Sequence, residues 1–218
     1  MPSRRLVEPT GDPKRPVVIV VDDDASMRSA VRRLLSMGGL AVELFASGPE
    51  FLADTDLHSR DCILLDVSMP LMSGLQVQAA LNQRGVTLPV IFLTGSADIP
   101  IAVAAMREGA VDFIEKPFDN DDLLARVRGA IDQYRQHRNV DQEQQIVLDR
   151  INKLTARERA VLELVVAGKT SKEIARVLGS SHRTVEIHRR HLMEKMEAPS
   201  LADLIRMRLL LPAADSTP

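Results

Sequence analysis

The sequence predicts two domains: a five-stranded doubly wound parallel α/β sheet, followed by a smaller all-α domain with a helix-turn-helix. In the first part of the chain, short β-branched or aromatic apolar runs alternate with amphipathic stretches, as in strands buried on both faces. The charge also changes sign, with 7 Lys/Arg against 16 Asp/Glu from Pro16 to Ala125 and 13 against 7 from Arg150 to Leu211. An acidic and a basic half indicate different partners, and the basic half is a candidate for binding nucleic acid.

The acidic half contains five strands, each followed by a helix. The strands are predicted at Val17–Val21, Ala41–Phe45, Cys62–Leu65, Val90–Leu93 and Val111–Ile114. The helices are predicted at Ala25–Met37, from a capping box at Ser47–Glu50, at Gly74–Gln83, at Pro100–Glu108 and from Asn120 onward. Asp24 is expected to cap the first helix, and Cys62, the single cysteine, is expected in the core.

The sequence of the basic half predicts helices and no strands. Capping boxes at Thr155–Glu158 and Thr170–Glu173 open two of them, and Gly168 and Gly179 are placed to end them. The segment Ser171–Arg190 then fits a helix-turn-helix.

Domain boundaries follow from composition. We expect the first domain at residues 16–130, a stiff helical linker at 131–150 and the second domain at 151–211, because residues 135–145 contain one apolar residue and neither Gly nor Pro. Residues 1–15 and 212–218 are expected to be disordered. The longest unbroken apolar run, Ile101–Met106, has six residues, far from the roughly 20 that a membrane span needs. We therefore expect a cytoplasmic protein with no membrane partner.

Polar residues follow the predicted strands where a doubly wound sheet binds its ligands. They are Asp22, Asp23, Asp66, Thr94 and Lys116. Each alone is more often a cap or a turn residue, but together they would bring carboxylates, a hydroxyl and an ammonium to one edge. Crowded carboxylates favour a cation, and hard oxygen ligands suit Mg²⁺. Asp66, the lone acid at the end of the central strand, is the predicted nucleophile toward a phosphoryl group.

The second helix of the helix-turn-helix has an apolar stripe and a charged face. Val185, Leu192 and Met196 mark the buried stripe. The outer face carries Arg183, Glu186, Ile187, Arg190 and Glu194. Arg190 suits guanine, Ile187 a thymine methyl group and Glu186 cytosine N4, although a solvated charged face remains the alternative. The basic half has no aromatic side chain on which an unpaired base could stack, which favours double-stranded DNA.

The motifs of the acidic half resemble the flavodoxin-like receiver domain of two-component response regulators. They are Val-Val-Asp22-Asp23, Leu-Leu-Asp66-Val-Ser-Met-Pro70-x-x-Ser-Gly74, Leu-Thr94-Gly95 and Lys116-Pro117. The resemblance implies phosphorylation of Asp66 by a sensor histidine kinase and Mg²⁺ held by Asp23, Asp66 and the Ser68 carbonyl, with Asp22 assisting. It further implies that Thr94 and Lys116 contact the phosphoryl oxygens and that the Lys116-Pro117 bond is cis. Phe113 matches the aromatic switch position, with strand core as the alternative.

The fourth predicted helix has no polar side chain from Ile99 to Met106. In receivers this helix and the fifth strand form a common dimer face, which implies pairing through Ile101, Val103 and Met106 after phosphorylation. Cover by the chain's own second domain is the alternative.

The basic half resembles the LuxR-type output domain. The matching residues are Leu154-Thr-x-Arg-Glu158, Val-x-Ala-Gly168, Lys-Glu173-Ile-Ala, Thr184-Val-Glu-x-His188 and Lys195-Met. The resemblance implies DNA contacts from Arg183, Thr184, Glu186, Ile187, Arg189 and Arg190. The helix from Leu201 to Leu210 would pair two such domains or serve as core.

Together the two halves look closest to the FixJ branch of the NarL/FixJ regulators. This implies a phosphorylation-dependent transcription regulator rather than an enzyme, with a sensor histidine kinase, double-stranded promoter DNA, RNA polymerase and a second copy of the chain as partners. Two alternatives remain. One is a DNA-binding regulator that does not depend on phosphorylation. The other is a phosphohydrolase of the haloacid dehalogenase type, which needs an acid where Ser68 stands.

Overall fold

The computed structural model describes residues 15–54, 57, 59–95 and 99–211, without the side chains of residues 99 and 101. The expected disorder of residues 1–15 and 212–218 therefore concerns segments that, apart from Arg15, lie outside the described residues. The chain divides into two units, Met1–Gln136 and His137–Pro218. None of the helices in the described ranges is long and apolar enough to span a membrane.

The first unit is built on one parallel sheet with the strand order β2-β1-β3-β4-β5. The strands are β1 (Val17–Val21), β2 (Ala41–Phe45), β3 (Cys62–Asp66), β4 (Val90–Thr94) and β5 (Asp112–Glu115). The chain leaves β1 in one direction for β2 and returns beside it as β3. The strand order therefore reverses at β1, and a crevice is expected at the carboxyl ends of β1 and β3.

Helices cover both faces of this sheet. They are α1 (Ala25–Met37), α2 (Gly48–Leu52), α3 (Gly74–Gln83), α4 (Ile99–Arg107) and α5 (Asn120–Asn152). Along β1, Val18 and Val20 belong to one core cluster, whereas Ile19 and Val21 belong to the other. This alternation explains the unbroken apolar runs, because a strand buried on both faces has no position for a polar side chain. The prediction of a doubly wound sheet is confirmed.

Several local predictions need correction. α4 was predicted at Pro100–Glu108 and is found at Ile99–Arg107, and β5 ends at Glu115 rather than Ile114. β3 and β4 each extend one residue further than predicted, to Asp66 and Thr94. β5 begins at Asp112 rather than Val111, because Asp112 pairs with Ile91 of β4 and the Val111 side chain is 43% exposed. At α2 the Ser47 side chain accepts from the Glu50 N–H, but the Glu50 carboxylate accepts from the Ala46 N–H, so the box is not reciprocal.

The second unit consists of helices. After the carboxyl-terminal part of α5 come α6 (Ala156–Val166), α7 (Ser171–Val177), α8 (His182–Met196) and α9 (Leu201–Leu209). Both predicted capping boxes, at Thr155 and Thr170, are present. Gly168 and Gly179 have φ values of 77° and 59°, a left-handed backbone that glycine adopts without strain. Val147 of α5 is 3% exposed and lies in the core of this unit.

Candidate functional site

Four of the predicted site residues meet at the carboxyl edge of the sheet. Asp22 follows β1, Asp66 ends β3, Thr94 ends β4 and Lys116 follows β5. The first three are buried, with exposed fractions of 1%, 5% and 3%. Residues that are 94 positions apart in sequence, Asp22 and Lys116, are therefore in direct contact. Parallel strands produce this convergence, because all their carboxyl ends lie at one edge.

Lys116 is bonded to both buried carboxylates. Its Nζ donates to Asp22 Oδ2 and to Asp66 Oδ1, at 2.7 Å in each case. The other carboxylate oxygens accept backbone N–H groups, Asp22 Oδ1 that of Asp24 at 2.8 Å and Asp66 Oδ2 that of Ser68 at 3.0 Å. The ammonium thus offsets one of two neighbouring negative charges and fixes the orientation of both carboxylates.

Burial and pairing act in opposite directions on these groups. Burial raises the pKa of Asp66, although the hydrogen bond from Lys116 acts to lower it. For Lys116, burial acts to lower the pKa, but hydrogen bonds to Asp22 and Asp66 outweigh burial and raise it. Lys116 therefore carries a positive charge at this edge of the sheet.

Close backbone approach at the site explains one glycine of the motif. A Cβ atom on Gly74, the first residue of α3, would collide with the carbonyl oxygen of Asp66. The Gly74 N–H also donates to the Val67 carbonyl at 2.9 Å. Glycine at this position lets α3 begin directly against the strand end that carries Asp66.

The donor set at this edge fits a hard cation. Asp23 and Ser68 are exposed beside the buried Asp22 and Asp66, so the atoms offered are carboxylate and carbonyl oxygens. Among the described residues, no three His, Cys, Asp or Glu side chains are grouped closely enough to hold a metal alone. Mg²⁺ fits nevertheless, because it usually takes one or two carboxylates and completes its shell with water and phosphate oxygens.

Thr94 ends β4, the neighbour of β3, and Phe113 lies on β5, the neighbour of β4. The Thr94 carbonyl accepts the Lys116 N–H at 2.6 Å, and Phe113 pairs in register with Phe92 one strand away. The Phe113 ring is half-buried, with its centroid 6.4 Å from that of Phe92. The Lys116-Pro117 peptide bond is cis.

Several apolar side chains are exposed on or near α4. Val103 and Met106 are 44% and 49% exposed, and Val111, which precedes β5, is 43% exposed. The side chain of Ile101, the third predicted dimer residue, lies outside the described residues.

The second candidate surface is the outer face of α8. Val185, Leu192 and Met196 are buried, as the periodicity predicts. Arg183, Glu186 and Arg190 are exposed, Ile187 is 41% exposed, and Thr184 and Arg189 are half-buried. Glu186 lies 3.9 Å from His182 and Arg190 lies 3.9 Å from Glu194, at distances too long for strong pairing. These side chains are therefore available to a ligand.

Comparison with known proteins identifies the family. Residues 18–128 match the response regulator receiver domain, and residues 152–208 match the luxR family of bacterial regulatory proteins. The transcriptional regulatory protein FixJ of Azorhizobium caulinodans is 44% identical over 204 residues, covering 92% of this chain and 97% of FixJ. The chain belongs to the FixJ-like response regulators.

Other relatives agree with this FixJ-like assignment. Nodulation protein W of Bradyrhizobium diazoefficiens is 42% identical over 191 residues, 88% of this chain and 84% of that protein. Among solved structures, the response regulator StyR has a TM-score of 0.81 at 36% identity, covering 90% of this chain and 100% of StyR. Full-length FixJ from B. japonicum has a TM-score of 0.58 at 37% identity, covering 89% and 96%. The predicted family, fold and two functional domains are confirmed, and these domains imply a kinase and DNA as partners.

One contact at the site was not predicted from the sequence. Arg28 of α1 donates from Nη1 to the Asp22 carbonyl at 2.6 Å, which holds the end of β1 against α1. Arg28 and Asp22 are six residues apart, and the start of α1 lies between them. Neither helical nor strand periodicity predicts a contact at this separation.

Proposed function

We propose that Asp66 accepts a phosphoryl group from a sensor histidine kinase and that the chain then pairs with a second copy. The pair binds double-stranded promoter DNA through α8 and acts on RNA polymerase in the cytoplasm. The observation that carries this proposal is the convergence of Asp22, Asp66 and Lys116 at one sheet edge, with both carboxylates within 2.7 Å of one ammonium.

The transfer needs a carboxylate that is oriented and reachable. An oxygen of Asp66 attacks the phosphorus of a phosphohistidine, and the phosphorus–nitrogen bond breaks. The imidazole nitrogen keeps the electron pair and takes up a proton, and an acyl phosphate remains on Asp66. Lys116 offsets the charge of the phosphoryl oxygens, and the Thr94 hydroxyl donates a hydrogen bond to one of them.

The carboxylates of Asp22, Asp23 and Asp66 and the carbonyl of Ser68 would hold Mg²⁺. When bound, the ion supplies positive charge against the phosphoryl oxygens. The support for these ligands is their oxygen chemistry and their common position at the end of β1 and β3.

We propose further that the chain does not turn over phosphate esters. A phosphohydrolase of the competing type needs a general acid two residues after the nucleophile. Ser68 stands there, and its backbone N–H donates to Asp66 Oδ2. A serine hydroxyl is too weak an acid to protonate a leaving group at neutral pH.

Phosphorylation of Asp66 changes the apolar surface formed by Ile101, Val103 and Met106. Thr94 and Phe113 transmit this change. A change at Asp66 draws Thr94 toward the phosphoryl oxygens, Phe113 follows, and the α4 surface pairs with its copy. On DNA, the contacts come from Arg183, Thr184, Glu186, Ile187, Arg189 and Arg190. Two such helices suit a twofold site with half-sites about one helical turn apart.

The test is a single labelling experiment on the full chain. With Mg²⁺ and acetyl phosphate, the intact mass should rise by one phosphoryl group per chain. Asp66→Asn should abolish this gain, and Asp149→Asn, an exposed aspartate on α5, should not. Size-exclusion chromatography with beryllofluoride, which mimics the acyl phosphate, should show a dimer. A wild-type chain that never gains the phosphoryl mass would refute the proposal.

A further inference from the structure

A buried amide joins α3 to the end of α4. Gln78 on α3 is 1% exposed, although Val77 and Leu81 in the same buried row are apolar. Its Nε2 donates to the carbonyl of Glu108 at 3.2 Å and, more weakly, to that of Ala105 at 3.4 Å. One helical turn later, Asn82 Nδ2 donates to the same Glu108 carbonyl at 2.8 Å. We call these two side chains the amide clamp.

The clamp acts where a helix leaves its carbonyls unpaired. α4 ends at Arg107, and the chain turns away at Gly109, which has a φ of 92°. The Gly109 N–H donates to the Met106 carbonyl at 3.1 Å, and the Ala110 N–H to that of Ala105 at 3.0 Å. The last carbonyls of any helix have no partner within it. Gln78 and Asn82 lie on α3 and donate to the Glu108 carbonyl, which follows the end of α4. These bonds therefore tie the end of α4 to α3.

Most of the side chains of α4 that the structure describes are exposed. Among its described side chains Ala105 alone is fully buried, and Pro100, Val103 and Ala104 are exposed. Gln78 also carries a cost, because its Oε1 is buried and has no hydrogen-bond partner among the described residues. An apolar side chain would avoid this cost, so the Gln78 amide is useful here for its donor.

We infer that Gln78 and Asn82 are positioning residues for the response to phosphorylation. They hold the carboxyl-terminal turn of α4 against α3, so that the movement of α4 is confined to its amino-terminal part. This inference rests on the proposed function, in which α4 carries the signal from Asp66 to the second copy. Met106 lies on the carboxyl-terminal turn that the clamp holds in place. This part of the dimer face is therefore already formed before phosphorylation, and phosphorylation moves only the part on the amino-terminal turns of α4.

The clamp itself can be tested in the resting full chain, without any phosphoryl group. In the double variant Gln78→Met and Asn82→Ala, the amides of Gly109 and Ala110 should exchange with solvent about tenfold faster, the effect of losing one to two hydrogen bonds. Gln83→Ala, an exposed neighbour on α3, is the matched control. Asn82→Gln keeps a donor and should remain closer to wild type. Wild-type exchange rates in the double variant would overturn the clamp.

Its role in signalling is tested with beryllofluoride and Mg²⁺. The double variant should weaken the dimer about tenfold in sedimentation, while the beryllofluoride midpoint in ¹⁹F NMR stays within about twofold. Unchanged dimerisation would overturn the positioning role. Dimerisation without beryllofluoride would also overturn it, because the clamp would then restrain the resting state. If wild type binds no beryllofluoride, the proposed function fails, whereas the exchange experiment still decides whether the clamp exists.

Discussion

Leu71 combines backbone strain with an exposed apolar side chain in the loop that follows Asp66. Its φ is 70°, in the left-handed region, and its side chain is 93% exposed. The Met72 N–H donates to the Pro70 carbonyl at 2.8 Å, which closes a tight turn around Leu71. A left-handed backbone costs a branched residue about 1–2 kcal/mol, and no packing offsets that cost here.

Leu71→Asn should therefore stabilise the first unit by about 0.5–1 kcal/mol, because asparagine tolerates a left-handed backbone. Urea unfolding measures the effect. Leu71→Ala is the control, since it removes the same apolar side chain but keeps the backbone penalty. Equal stabilities of the two variants would show that the turn holds no strain.

Glu158 supplies a buried charge to the second unit. It is 3% exposed, and its Oε2 accepts from Lys195 Nζ at 2.7 Å and from the Thr155 N–H at 2.8 Å. Burial acts to raise the pKa of Glu158, but the hydrogen bonds from Lys195 and Thr155 outweigh it and lower the pKa from 4.5 to about 2. The folded state therefore keeps this carboxylate ionised where the unfolded chain would protonate it.

The resulting stability is present above pH 4.5 and is lost as the pH falls toward about 2. Glu158→Gln should cost about 2 kcal/mol at pH 7, allowing for screening of the half-exposed Lys195. The difference from wild type should shrink below pH 4.5 in thermal unfolding. Glu143→Gln, at an exposed residue of α5, is the control for the loss of a surface carboxylate. A pH-independent difference for Glu158→Gln would contradict the role of its charge.

At the scale of elements, local patterns predicted most of the fold. β1, β2, α1 and α3 have the predicted bounds, because apolar runs and caps are encoded within a few residues. The strand prediction also puts four residues at one edge of the sheet, as the structure does, since the carboxyl ends of parallel strands lie side by side. These residues are Asp22, Asp66, Thr94 and Lys116. The bonds between Gln78, Asn82 and Glu108 were not predictable. They depend on the packing of two helices, and a buried glutamine has no periodicity that separates it from an exposed one.

α5 illustrates a second limit of local patterns. Residues 131–150 were predicted as a stiff helical linker, and α5 is one helix through Asn152. The two ends of this helix, however, enter separate cores. Ile131 is 2% exposed in the core of the first unit, and Val147 is 3% exposed in that of the second. Gln144 Nε2 also donates to the Leu210 carbonyl at 2.8 Å. A few buried residues in a polar helix are enough to make its end part of a domain.

Val147→Ala in the full chain should therefore destabilise the second unit by about 2 kcal/mol. Val140→Ala is the matched control, because Val140 lies on the same helix and is 46% exposed. It should change stability by no more than about 0.5 kcal/mol. Circular dichroism during urea unfolding measures both. Equal effects of the two substitutions would mean that this part of α5 is a linker only.

The exposed side chains of α8 lead us to expect specific base preferences in the bound DNA. Arg190→Ala should weaken DNA binding by about 1–3 kcal/mol and relax a guanine preference, and Glu186→Gln should relax a cytosine preference. Selection from a random DNA library with the phosphorylated full chain measures these preferences position by position. Arg206→Ala, a 75%-exposed arginine side chain on α9, is the control and should leave them unchanged. Preferences that survive both α8 substitutions would assign base contacts to other residues.

At the scale of the whole molecule, the net charge of −2 combines an acidic first part with a basic second part. The basic part supplies the attraction to phosphates, and this attraction weakens steeply with salt. One such unit contacts fewer phosphates than two units on the same DNA. Pairing two units on one DNA makes the second binding event intramolecular, and this can raise the affinity without any new kind of contact. Phosphorylation of Asp66 can therefore control DNA binding by controlling pairing alone.

Acetyl phosphate should accordingly lower the wild-type Kd for a twofold DNA site at least about tenfold and steepen its salt dependence, because twice as many phosphates are contacted. Asp66→Asn should show neither effect, while its Kd without acetyl phosphate matches that of wild type. Fluorescence anisotropy across a salt series measures all four conditions. A regulator independent of phosphorylation would instead give one Kd for wild type and Asp66→Asn, with or without the phosphodonor. That result would leave the cluster of Asp22, Asp66 and Lys116 with a structural role only.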